Sequence, residues 1–108
     1  MARINQIFTV GAMPHQIASV QTMADRLSVQ MKTGGSGIGY VLCSNTGSVP
    51  SKANDADIVV ELPPAGATYP GGTYSDVQPG GGNAIDVSAY WLDGAHAGDL
   101  IRVSYHRR

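Results

Sequence analysis

At 108 residues the chain has room for one domain with a core of modest size and none for a second. Seven basic and eight acidic residues leave a formal net charge of −1, which supplies no long-range field to gather nucleic acid or an anionic membrane, so neither is expected as a partner. No run approaches the roughly 18 apolar residues of a membrane helix, the N-terminus lacks a secretion signal, and the single Cys43 has no internal disulfide partner, so a soluble protein made in a reducing compartment is expected.

Fourteen glycines and six prolines, clustered at 34–39, 63–72 and 79–82, suit short strands joined by turns better than long helices. In chain order, residues 1–14 read as an N-terminal arm or edge strand carrying Ile4, Ile7, Phe8 and Val10, stopped by Gly11 and Pro14. Residues 15–108 read as one β-sandwich domain. From His15 two periods compete: Ile17, Val20, Met23, Ala24 and Leu27 fall near helical spacing, while Leu27, Val29 and Met31 alternate with Ser28, Gln30 and Lys32 as in a strand. The spacing predicts a strand over 26–32, preceded by a short helix or another strand.

Residues 33–37 form a turn by composition. The run 38–43 is apolar on both parities, the pattern of a central strand covered on both sides, or of one half covered by its own domain and half by a neighbouring subunit. Gly39 within it marks a bulge, a close approach of an aromatic ring, or an extension of the turn. Residues 45–55 read as an exposed loop and 56–62 as a further strand with Glu61 on its solvent side. Prolines and glycines at 63–64, 70–72 and 79–82 set loop corners around a short strand at 73–77. A loop this rich in glycine is expected to be mobile unless a neighbour orders it.

The closing segment, residues 85–105, contains the only tryptophan, Trp91. Asp93-Gly94 and Gly98-Asp99 interrupt it, and Ile101, Val103 and Tyr105 then alternate with Leu100, Arg102 and Ser104. This predicts a strand–loop–strand hairpin with Ile101, Val103 and Tyr105 facing the core and Trp91 at its edge or in an intersubunit contact.

Chemistry-bearing residues are sparse. His15, His96 and His106 form no close-spaced metal signature. Asp93, His96 and Asp99 share one loop, but aspartates beside glycine are usually turn formers that bond their own backbone. Cys43 reads as a buried structural thiol. The glycine clusters lack the lysine and following helix of a phosphate loop, and nothing brings two carboxylates together for acid–base work. No catalytic residue, cofactor or metal is expected. His106, Arg107 and Arg108 form a basic tail, either solvated or bridged to the acidic rim of another subunit.

The strand around Gly37 to Asn45 (GIGYVLCSN), the segment ELPPAGATY at Glu61 to Tyr69, and the close IDVSAYWLDGAHAGDLIRVSY together resemble a group of small structural proteins of tailed bacteriophages. In those proteins an early strand reads like xxYVG, a middle segment like PLxAGE, and the close like DLSxIYVDGxxxGDxVxVxY. The likeness spans positions 37 to 105; the stretch Tyr69 to Asn83 departs from it. The resemblance implies an antiparallel β-sandwich of jelly-roll kind that decorates or cements a capsid, binding the major capsid protein or other virion proteins, without catalysis. It would be made in the host cytoplasm and located in the virion.

Apolar and aromatic residues in peripheral stretches, Ile4, Ile7, Phe8, Tyr69 and Tyr74, together with Trp91, Arg107 and Arg108, are the expected contacts. A homo-oligomer is expected, a trimer at a threefold being favoured. The alternative is a carbohydrate- or receptor-binding module whose Tyr69, Tyr74, Tyr90 or Trp91 stacks on a sugar.

Overall fold

The computed structural model describes residues 2–44, 47–77 and 84–108. They hold nine strands: β1 (Ala2–Thr9), β2 (His15–Gln16), β3 (Met23–Met31), β4 (Gly39–Cys43), β5 (Ile58–Leu62), β6 (Thr73–Val77), β7 (Ile85–Asp86), β8 (Tyr90–Gly94) and β9 (Leu100–Arg107). Two single-turn 3-10 helices, Asp55–Asp57 and Val87–Ala89, complete the regular structure, and no α-helix occurs among the described residues. Asn54 and Asp86 start these turns by accepting the backbone N–H two residues on, the local capping that short polar side chains favour.

The strands form two antiparallel sheets, ordered β1-β9-β3-β6 and β2-β8-β4-β5, with β7 also paired to β3. The order is that of one long hairpin rolled up: β1 lies beside β9, β2 beside β8, β3 beside β6 and β4 beside β5. This is the jelly-roll arrangement, as expected from the sequence. One expectation fails. The closing strands β8 and β9 are consecutive, but they do not pair as a hairpin; β8 belongs to the second sheet, between β2 and β4, and β9 to the first, between β1 and β3. Residues 95–99 therefore cross from sheet to sheet.

Period-two alternation fills the space between the sheets. Leu27, Val29 and Met31 of β3 and Ile101, Val103 and Tyr105 of β9 point inward, as their parity predicts, and meet Val41, Leu62 and Leu92 of the second sheet. The N-terminal stretch is an edge strand, paired to β9 over its whole length from Ala2↔Arg107 to Thr9↔Leu100. No helix precedes β3; its register shifts between Ala24 and Arg26, a bulge that Asp25 occupies. Gly39 answers to a close approach, but of a methionine rather than an aromatic ring: a Cβ there would sit 2.1 Å from Met31 Sδ. A bulge follows it, between Val41 and Leu42.

The two outer faces differ. Leu42, of opposite parity to core-facing Val41, is nevertheless fully buried, and so is Pro50. Lys52 donates to the Gly94 carbonyl and lies 3.7 Å from the Asp93 carboxylate. The stretch around Pro50 and Lys52 thus lies over the second sheet. The first sheet's outer face carries no such layer among the described residues.

The crossovers at one end are tied together by Asp99. Val10 N–H donates to the Asp99 carbonyl at 2.8 Å, and Gly98 N–H to the Val10 carbonyl at 2.8 Å. The buried Asp99 carboxylate accepts from Gly37 N–H at 2.9 Å and Ser36 N–H at 3.4 Å. Gly98 makes this possible with φ +92°, a conformation that L side chains rarely adopt.

Candidate functional site

The expected contact residues do not converge on one surface. Ile4 and Phe8 pack partly buried against the chain's own core, and only Ile7 of that group turns outward. Tyr69 is 63% exposed, its ring lying over Gly66. Tyr74 and Trp91 are half-buried. Arg107 lies in β9 and is exposed, while Arg108 is ion-paired to Asp25, so the basic tail is not a plain solvated terminus. Residues 78–83 of the glycine-rich loop, expected to be a contact, lie outside the described residues. Asp93 and Asp99 are buried rather than on the surface, and both bond backbone N–H groups, as turn-forming aspartates do. Cys43 is half-buried, less enclosed than a core thiol, because β4 ends there at the rim of the sandwich.

What the fold does gather is the polar parity of the first sheet. Strand register aligns its outward residues in rows. Arg3, His106 and Arg26 lie side by side across β1, β9 and β3, followed by Val77 of β6. Two residues along, the row is Asn5, Ser104, Ser28 and Ser75; two further, Ile7, Arg102, Gln30 and Thr73. Short serines between rows of long side chains leave a shallow groove of about 490 Å³, lined by Arg3, Arg26, Arg102 and His106 with serines, Gln30 and Thr73. Among the described residues no carboxylate lines it. Arg3 Nε donates to Ser104 Oγ at 3.4 Å and Gln30 Nε2 to Thr73 Oγ1 at 3.4 Å, so the side chains are cross-linked over the floor.

A second feature lies at the opposite end from Asp99. Tyr74 of β6 and Tyr90 of β8 lie close enough across the two sheets to influence each other's ionisation, beside a 280 Å³ cleft bordered by Cys43, Asp76 and Asp86. Burial, then the neighbouring Tyr74, pushes the Tyr90 hydroxyl up to about 12. Burial alone would also raise Asp86, but hydrogen bonds from Ser88 and Thr22 outweigh it and hold that carboxyl below its ordinary value. Because the folded state resists ionising Tyr90, its contribution is complete below pH 10, the ordinary tyrosine value, and fades as pH climbs toward 12. Melting temperature is expected to fall across that window in the native chain, and Tyr90→Phe is expected to flatten the fall; an identical alkaline profile for both would contradict it.

Trp91 lines a third cleft of about 370 Å³ with Gln16, Cys43, Val49 and Ser88. Half-buried, it has less to lose than a core residue. Trp91→Ala is expected to cost about 1 to 2 kcal/mol in urea unfolding, below the ~3 kcal/mol or more of a fully buried ring.

Among the described residues no cluster of three or more histidines, cysteines or carboxylates is placed to hold a metal. Comparison with protein-family models, curated proteins and solved structures finds no match. The arginine rows were missed in the sequence because Arg3, Arg26 and Arg102 stand far apart along the chain and no charge run joins them. The available signal was parity. Arg102, Ser104 and His106 alternate with the core residues of β9, and Arg26, Ser28 and Gln30 do the same in β3.

Proposed function

We propose that this chain is a structural protein of a bacteriophage virion, a decoration or cement protein that docks on the capsid lattice through the outer face of its first sheet. The observation that carries it is the asymmetry of the two faces: one sheet is overlaid by a chain segment, and the other presents an open, polar, arginine-bearing surface with no acidic residue in it. Such a surface fits a molecule that adheres to a larger assembly. The resemblance of the closing segment adds support: its Asp93-Gly94 and Gly98-Asp99 are the residues that fix the crossover between β8 and β9. Electron cryomicroscopy of the particle, with this chain present and then deleted, tests it; symmetry-related copies on the shell are expected, and a shell without such density overturns the reading.

The same proposal includes self-association through β1. Three of the four sheet edges carry features that block strand addition. The edge strand β2 has two residues and follows Pro14; β5 faces a bulge and runs into Pro63-Pro64; β6 points Asp76 inward. The fourth edge, β1, has eight residues, no proline, no bulge and one charge, Arg3. Antiparallel self-pairing centred on Gln6 would set Ile4 against Phe8 and Arg3 against Thr9, keeping the two Arg3 side chains apart. Pairing of identical edges gives a two-fold dimer; a trimer built by strand addition would require β1 to meet one of the guarded edges, whereas the trimer favoured from sequence could form through other surfaces. Asn5→Pro is expected to shift a dimer to monomer in sedimentation velocity while the chain stays folded, since an edge strand tolerates proline where its N–H faces solvent. A native chain that is monomeric at millimolar concentration contradicts this part.

A further inference from the structure

We propose that the groove on the first sheet is a carboxylate-binding site that receives an extended, acidic segment of a protein partner. The inference starts from charge segregation. Arg3, Arg26 and Arg102 place three positive charges on one face of a chain whose net charge is −1, leaving eight carboxylates against four cations elsewhere. Lys52 and Arg108 have carboxylate partners, at Asp93 and Asp25. The three groove arginines have no carboxylate partner among the described residues. Among the described residues no carboxylate neutralises their charges.

Spacing then narrows the ligand. Neighbouring strands lie about 4.8 Å apart, so Arg3 and Arg26, on either side of β9, have backbones roughly 10 Å apart. Arg102 is four residues along β9 from His106, about 13 Å. Guanidinium groups on flexible stems can lean from both outer rows over the serine row between them. The result is a floor of hydroxyls, from Ser28, Ser75 and Ser104, flanked by planar forks that match carboxylates bidentately. The floor hydroxyls can donate to and accept from the backbone of an extended peptide lying across the strands, while acidic side chains on it reach the arginines.

A nucleic acid is disfavoured by the same numbers. Appreciable affinity for it comes from many phosphate contacts, about 6 to 10 in a typical case, whereas this face fixes three cations on a chain of net charge −1. A long polyanion would extend past the three cations that could neutralise it; a short acidic peptide would not. The partner's identity as a coat protein rests on the virion reading above, but the site's chemistry does not.

The test uses the full chain and a labelled twelve-residue peptide of alternating glutamate and serine, with a twelve-nucleotide oligothymidylate and a heparin tetrasaccharide as comparison probes. Saturable binding of the peptide is expected, weakening as salt is raised, with amide shifts centred on Ser28, Ser75 and Ser104. The double variant Arg26→Glu/Arg102→Glu is expected to weaken it at least tenfold with an unchanged melt, and Lys32→Glu, outside the groove, to leave it within twofold. Arg26→Lys/Arg102→Lys, which keeps charge but loses the fork, is expected to fall between. Shifts elsewhere, no binding, or tighter binding of either comparison probe overturns the proposal. Particle cosedimentation separates the two readings: peptide binding without particle binding removes the virion role and leaves the site, whereas particle binding that survives the double reversal removes the site and leaves the role.

Discussion

Asp99→Ala is expected to destabilise the chain by about 3 kcal/mol. The carboxylate is buried, accepts Gly37 and Ser36 N–H, and sits in the segment whose backbone also bonds Val10. Truncation leaves a buried N–H at Gly37 without its acceptor and loosens three crossovers at once. Asn retains one carbonyl acceptor, so Asp99→Asn is expected to recover roughly half of the loss. Glu61→Ala, at an exposed position on β5, is expected to stay within about 0.5 kcal/mol. Urea unfolding of the three variants checks the series; equal midpoints for Asp99→Ala and Glu61→Ala would show that Asp99 is an ordinary surface carboxylate.

Gly71→Ala is expected to cost about 3 kcal/mol through overpacking. A Cβ at Gly71 would meet the Pro63 carbonyl oxygen at 2.5 Å, Met31 Cβ at 2.7 Å and Ala65 N at 2.8 Å. Two of these are backbone atoms that cannot rotate away. Gly71 N–H also donates to the Met31 carbonyl and Met31 N–H to the Gly72 carbonyl, so the corner is stitched to the end of β3 and cannot retreat without breaking those bonds. Gly34→Ala offers a contrast, because no neighbour lies within 4 Å and only its φ of +97° opposes the substitution. A milder loss of about 1 kcal/mol is expected there. If Gly34→Ala lowers the melting temperature more than Gly71→Ala does, the packing of 63–72 on β3 is wrong.

These two residues also mark where the sequence was legible and where it was not. Alternation in Leu27–Met31 and Ile101–Tyr105 declared both inward faces directly, since side-chain parity is local and needs no knowledge of partners. The all-β class, the sandwich and the short strand at Tyr74 followed from the same local signals. Pairing was not local. A glycine-containing loop between two strands is compatible with a hairpin and with a sheet-to-sheet crossover, and what sends β9 to β1 rather than to β8 is a match of eight residue pairs with a strand almost a hundred residues earlier. The burial of Asp99 was hidden for the same reason, its partners Ser36 and Gly37 being 62 or more residues away. Also hidden was the use of the glycines at 71 and 72, where the absent side chains serve close backbone approach to Pro63 and Met31. The candidate site was the least legible, because a face made of every second residue on four strands exists only once the register does.

The central claim, that the open arginine face seats this chain on a virion shell, is tested most directly by a cryomicroscopy map of the particle at a resolution that shows side chains. The account predicts many symmetry-related copies with Arg3, Arg26 and Arg102 turned toward carboxylates of the coat subunits and the segment around Pro50 and Lys52 turned to solvent. A map in which this chain is bound with the arginine face pointing to solvent, or in which it is absent from the particle, would contradict it.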